Sequence, residues 1–243
     1  LSAVREATLA YLAEGTPDAR YIDLFKVKYD YHNVKALLKA EAVGTAPDRM
    51  LMDMGRVSTA ELAEAVRSRE LDGLPETLAA AVAEAREVLD TTRDPQLSDI
   101  VLDRWCYRDM AALAEETGSA FLRGYVAVQV DAVNLRTAVR TLRMGKGADF
   151  LLGALLEGGD LAPDAVAKAA SSGAAGLREL YGATRFRDAA EAGAEALKGG
   201  PLTAFEKLCD DAVGDYLAGA QSVPFGEAPL VSYLAARETE YTN

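Results

Sequence analysis

The sequence predicts an all-α protein, and three observations carry that prediction. Ala, Leu, Glu, Arg and Lys, all strong helix formers, dominate the 243 residues. Period-2 alternation of β-branched residues, the mark of a half-buried strand, is scarce. The one stretch that shows it, Tyr125 to Val130, lies inside a longer helical pattern and is read as helix. Between the helical stretches the chain gathers Gly, Pro and Asp, the residues that favour turns.

Each element follows from its local signals. Thr16-Pro17-Asp18 closes a first helix, because Pro17 cannot supply the N–H that a helix interior needs. A second helix is expected from Tyr21 to Ala42, stopping at Gly44 to Pro47. Ser58 and Glu61 have the S-x-x-E form of a capping box and open a short helix over Ala60 to Ser68. Pro75 sits where a first helical turn tolerates proline, and a helix follows to about Leu89. Asp94-Pro95 breaks the chain again. One long helix or two cover Ser98 to Glu116, and another covers Ser119 to Met144. Met144-Gly145-Lys146-Gly147 is a helix terminus with glycine supplying the left-handed residue. Ala162-Pro163-Asp164 opens the next region and Gly199-Gly200-Pro201 ends it. A helix over Leu202 to Ala218, a loop over Gln221 to Pro229 and a last helix from about Leu230 complete the chain.

Composition narrows the function. Half of the residues are apolar and about a quarter charged, an ordinary globular balance. No run approaches the ~20 apolar residues that cross a bilayer. Nothing near Leu1 pairs a basic segment with an apolar block, as a secretory signal would. The formal net charge of −12 argues against nucleic acid, whose binding draws on Lys and Arg, and against an anionic lipid surface. Cys106 and Cys209 stand far apart without a CxxC pair and are read as reduced thiols packed in helices, which fits a reducing, cytosolic compartment.

Catalytic patterns are missing from the sequence. The single histidine, His32, rules out HExxH and multi-histidine metal sites, and beside an apolar stripe it is read as a packing or hydrogen-bonding residue. Gly145-Lys146 is followed by Gly147, so there is no phosphate-binding G-x-x-x-x-G-K-[ST] loop, and G-x-S-x-G is absent. No catalytic residue, cofactor site or metal ligand is therefore assigned. Glu115-Glu116 and Asp210-Asp211 are read as solvated helix faces.

One pattern recurs. Asp30 and Asn33 are followed by Lys35, and Asp131 and Asn134 by Arg136, at a register shift of 101 residues. Acid and amide stand three apart, so they are neighbours on a helix surface. Each copy then reaches a glycine turn and a short helix: Gly55-Arg56-Val57-Ser58 in the first, Gly159-Asp160-Leu161-Ala162 in the second. A third, partial copy ends the chain with Glu240 and Asn243. This period is too long for a short solenoid and predicts pseudo-threefold internal repeats of divergent helical units, about 1–97, 98–201 and, in part, 202–243, within a single domain. In the first copy Asn33 falls inside the stripe formed by Ile22, Phe25, Tyr29, Ala36 and Ala40, with Asp30 at its flank. In the second, Asp131 and Asn134 point away from a polar side made by Gln129, Arg136, Arg140 and Arg143. Buried and unpaired, such a group costs on the order of 1–3 kcal/mol, so each pair must find partners. Two readings stay open: the pairs pin helices within the fold, or they meet a neighbouring protein.

At these residues the chain resembles the C-subunit family of V-type ATPases, known as the d subunit in eukaryotes. Three segments carry the resemblance in order across nearly the whole chain: Lys28 to Lys39; Phe121-Leu122-Arg123-Gly124-Tyr125 leading to Asp131, Asn134-Leu135-Arg136 and Arg140; and Pro224-Phe225-Gly226 leading to Tyr233-Leu234 and Arg237 to Glu240. The resemblance implies a funnel-like helical assembly with approximate threefold symmetry. It further implies a non-catalytic rotor subunit that joins the central-stalk subunits to the membrane rotor ring, on the cytoplasmic side and without a span of its own. Asp30, Asn33, Lys35, Asp131, Asn134, Arg136, Arg140, Arg143, Glu240 and Asn243 are then structural or partner-facing. Family chains are longer, so segments at both ends are expected to be missing here. A free-standing helical adaptor for a protein or peptide is the alternative.

Overall fold

Residues 18–47, 50–220 and 227–234 are described by the computed structural model of the chain, and all regular structure among them is helical. The chain divides into two compact units, Leu1–Gly118 and Ser119–Asn243. The expected helix before Thr16 and the acid–amide pair at Glu240 and Asn243 lie outside the described residues.

In the first unit, α1 (Arg20–Val43) starts where the Arg20 N–H and guanidinium both bond Asp18, and ends on Gly44 in the left-handed region at φ 72°. Helix α2 (Thr59–Ser68) opens on the expected capping box. Ser58 accepts from the Glu61 N–H, and the Glu61 carboxylate accepts from the Ser58 N–H. Helix α3 spans Glu76–Thr92, and α4 (Pro95–Glu116) starts with Asp94 accepting from the Gln96 N–H. Helices α2, α3 and α4 all pack on α1. Its buried residues therefore run round the helix, from Ile22, Leu24 and Phe25 to Leu37, Leu38 and Ala40, and are not confined to the single stripe expected. Helix α4 lies antiparallel to α1, since bonds from Arg20, Tyr31, Lys35 and Lys39 reach Glu116, Asp109, Asp103 and Asp99 in descending order.

The second unit is built on α5 (Ala120–Arg143), whose first turn is capped by Ser119 accepting from the Leu122 N–H. The chain turns at Gly145, φ 65°, and forms α6 (Ala148–Ala154). The region after Pro163 resolves into α7 (Pro163–Ser171), α8 (Gly173–Tyr181) and α9 (Arg187–Ala196). Helix α10 (Thr203–Ala218) and a short α11 over 228–234 follow. Sequence patterns did not separate α6 or the α7–α9 run, because helices of seven to ten residues carry too few turns to show a period. Helices α6, α7, α9 and α10 pack on α5 around Leu135, Val139, Leu177, Phe186 and Phe205. Helix α10 is antiparallel to α5: Phe121, Arg136, Arg140 and Arg143 meet Tyr216, Asp210, Glu206 and Gly200 in descending order. Cys106 and Cys209 are both buried, and burial pushes both thiols up to about 12.

Candidate functional site

Asp30 and Asn33 lie one turn apart on α1 and face the return segment that leads to α2. The Asn33 carboxamide pairs with the main chain of Met52, donating from Nδ2 to the carbonyl and accepting the N–H at Oδ1, both at 2.8 Å. Asp30 Oδ1 accepts the N–H groups of Arg56 and Val57 at 2.9 and 3.2 Å, and its Oδ2 accepts from Arg56 Nε at 2.8 Å. Both side chains have no exposure. Gly55 is required by this approach, since a Cβ there would overlap the Asp30 carboxylate. His32 is exposed, and its Nε2 donates to the Met50 carbonyl at 3.0 Å.

The same clasp closes in the second unit. Asn134 pairs with the main chain of Leu156, giving and accepting one bond at 2.8 Å each. Asp131 accepts the N–H groups of Asp160 and Leu161 at 3.1 and 3.2 Å, and Gly159 stands against it as Gly55 stands against Asp30. Asp131 is 3% exposed and Asn134 fully buried. A side chain on the long helix thus supplies the bonds that a loop, lacking ladder or helix partners, could not make for its own buried backbone.

The correspondence extends to charge. Lys35 pairs with Asp103 and Lys39 with Asp99, across α1 and α4. At the same register Arg136 pairs with Asp210 and Arg140 with Glu206, across α5 and α10. Arg143 donates to the Gly200 carbonyl at 2.8 Å. Lys35, Lys39, Arg136 and Arg140 thus each hold an antiparallel helix of their own unit.

The two units part at one place. In the first, the Arg56 side chain, 14% exposed, forks between Asp30 and Asp109, and Asp109 also accepts from the Tyr31 hydroxyl. Burial works to lower the Arg56 guanidinium, but bonds and charge from Asp109 and Asp30 outweigh it and hold its proton more firmly than usual. Burial pushes the Asp30 carboxyl up, and the bonds from Arg56 and the two amides, with the Arg56 charge, pull against it. In the second unit Asp160 stands where Arg56 stands in the first.

Sequence patterns singled out both acid–amide pairs and both glycine turns, and the structure brings each pair to its turn. They did not single out Asp109 or the fork of Arg56. A signal existed: Asp109 lies among Val101, Leu102, Cys106 and Met110, a carboxylate on an apolar face. Among the described residues no group of ligating side chains could hold a metal ion, and no helix is long and apolar enough to cross a membrane.

The sequence model of the ATP synthase (C/AC39) subunit family matches residues 3–243. The chain belongs to this family. It is similar to the C subunit of the V-type sodium ATPase of Enterococcus hirae, 25% identical over all of this chain and 74% of that protein. It is 30% identical to the C subunit of the V-type ATP synthase of Thermus thermophilus, over 65% of this chain and 54% of that one. With the C subunit of the A-type ATP synthase of Methanocaldococcus jannaschii it shares 24% identity, over 99% of this chain and 66% of the relative. As a member of the C/AC39 family the chain has the all-α fold that its resemblance implied.

Proposed function

We propose that this chain is a non-catalytic coupling subunit of a rotary V-type ATPase or ATP synthase, standing between the central-stalk subunits and the membrane rotor ring on the cytoplasmic side. The observation that carries the reading is the family match over nearly the whole chain. The described geometry supports it. A part that passes torque must resist bending, and each unit here clasps its return loop to a long helix through buried side-chain bonds and ties a second long helix alongside it. Buried bonds of this kind hold one discrete arrangement. The proposal includes a third, partial copy of the module ending at Glu240 and Asn243, and a funnel of three helix groups.

Affinity purification from native membranes tests it. A tagged full-length chain is expected to bring down the stalk subunits and the membrane ring. Its recovery as a free monomer would overturn the reading and favour an adaptor.

A further inference from the structure

Asp30 and Asp131 hold equivalent turns in different electrostatic surroundings. Asp30 shares the Arg56 guanidinium with Asp109. Following the ion-pair register along the antiparallel helices, Asp99 and Asp103 of α4 correspond to Glu206 and Asp210 of α10, and Asp109 then corresponds to Tyr216. The buried cation and its second carboxylate are thus replaced by Asp160 and Tyr216. Among the described residues Asp131 joins no ion pair, and its oxygens accept only the Asp160 and Leu161 N–H groups.

The groups that face Asp131 come from three directions. Asp160 on its own loop adds a like charge. Tyr181, at the end of α8, brings a buried hydroxyl that makes no hydrogen bond. Arg185, on the turn after α8, supplies positive charge from a distance while its guanidinium covers the Tyr216 ring of α10 at 5.1 Å. A carboxylate taken from water without a bonded cation is held in its less favoured, charged form. The 155–162 segment that covers it contains no helix, so its lifting would expose the carboxylate to water without unwinding one.

We propose that the 155–162 segment is a proton-responsive clasp, closed most firmly when Asp131 carries a proton and loosened when it is ionised. Burial pushes the closed carboxyl up to about 6, with Asp160 adding to the rise and the two amides and Arg185 opposing it; exposed, the group returns to its ordinary 3.8. Between those values the closed form holds a proton that the open form releases. Acidification through 6 therefore favours closure, and a rise in pH favours opening. Such a clasp responds to protons whether or not the chain serves a rotary ATPase.

Hydrogen exchange on the full chain tests it. After correction for intrinsic exchange, protection of the Leu156, Asp160 and Leu161 amides should rise about tenfold from pH 7 to pH 5, the change that one linked proton gives across this window. Asp131→Asn should abolish that rise. Asp160→Arg, which supplies the missing guanidinium, should move the midpoint to lower pH, and it keeps the test open if Asp131→Asn fails to fold. A flat wild-type profile, an undiminished rise in Asp131→Asn, or an unmoved midpoint in Asp160→Arg would each overturn the proposal.

Discussion

Asn134 makes two bonds to the main chain of Leu156, and water cannot replace them, because both residues are buried. Asn134→Leu keeps the branched shape of the side chain but strands one N–H and one carbonyl. We expect a loss of about 1–3 kcal/mol, since an unsatisfied buried group costs its full desolvation. Urea titration at fixed pH measures it, and an unchanged midpoint would refute the clasp as a source of stability. Gly159→Ala strikes the same clasp from the other side: the added methyl overlaps the Asp131 carboxylate, and a shift of loop or helix should cost about 1–3 kcal/mol. Thermal melting of the variant beside Gly158→Ala separates crowding from the strain of a left-handed residue, because Gly158 has φ 95° and open space around it.

At the scale of elements, two kinds of ion pair hold α4 in the first unit, one to α1 and one to the return segment, and they should differ in strength. Lys39–Asp99 is at the surface, with side chains 45% and 28% exposed, so solvent screens most of its attraction. Lys39→Gln is expected to change stability by no more than about 1 kcal/mol. Arg56–Asp109 is enclosed, and Asp109→Asn leaves a buried guanidinium short of a counter-charge. That change should cost about 3–5 kcal/mol. Denaturation of the two variants in parallel decides the point, and equal effects would contradict it. The start of α2 was legible in the sequence because capping is local, with Ser58 finding Glu61 three residues on, whereas α4 starts at Pro95, ahead of the expected Ser98, because Asp94 caps Gln96. Asp109 and Arg56 are 53 residues apart, and no periodicity within one helix announces a partner on another element. The α7–α9 run escaped for a different reason, since its Ala-rich turns are separated by Ser172, Gly182 and Thr184 with no side-chain cap on α8 or α9.

At the scale of the molecule, every clasp and inter-helix ion pair described closes within its own unit. Each unit is therefore expected to fold alone. Chains covering 1–118 and 119–243 should each show a helical far-UV spectrum and a cooperative melt. A fragment without a transition would show that its core needs the other unit.

What the sequence by itself determined is the all-α class, the helices long enough to display a period, and the twice-repeated acid, amide and glycine turn. These depend on interactions within a few residues or on a pattern that survives duplication. Only the tertiary structure decided what each repeat does with its charges. Lys35 and Arg136 share a task because a carboxylate waits at the matching place on α4 and on α10. Asp30 and Asp131, alike in sequence context, differ because an arginine follows one glycine and an aspartate the other. The energy of a buried charge is set by what surrounds it in space, and the surroundings here come from elements remote along the chain.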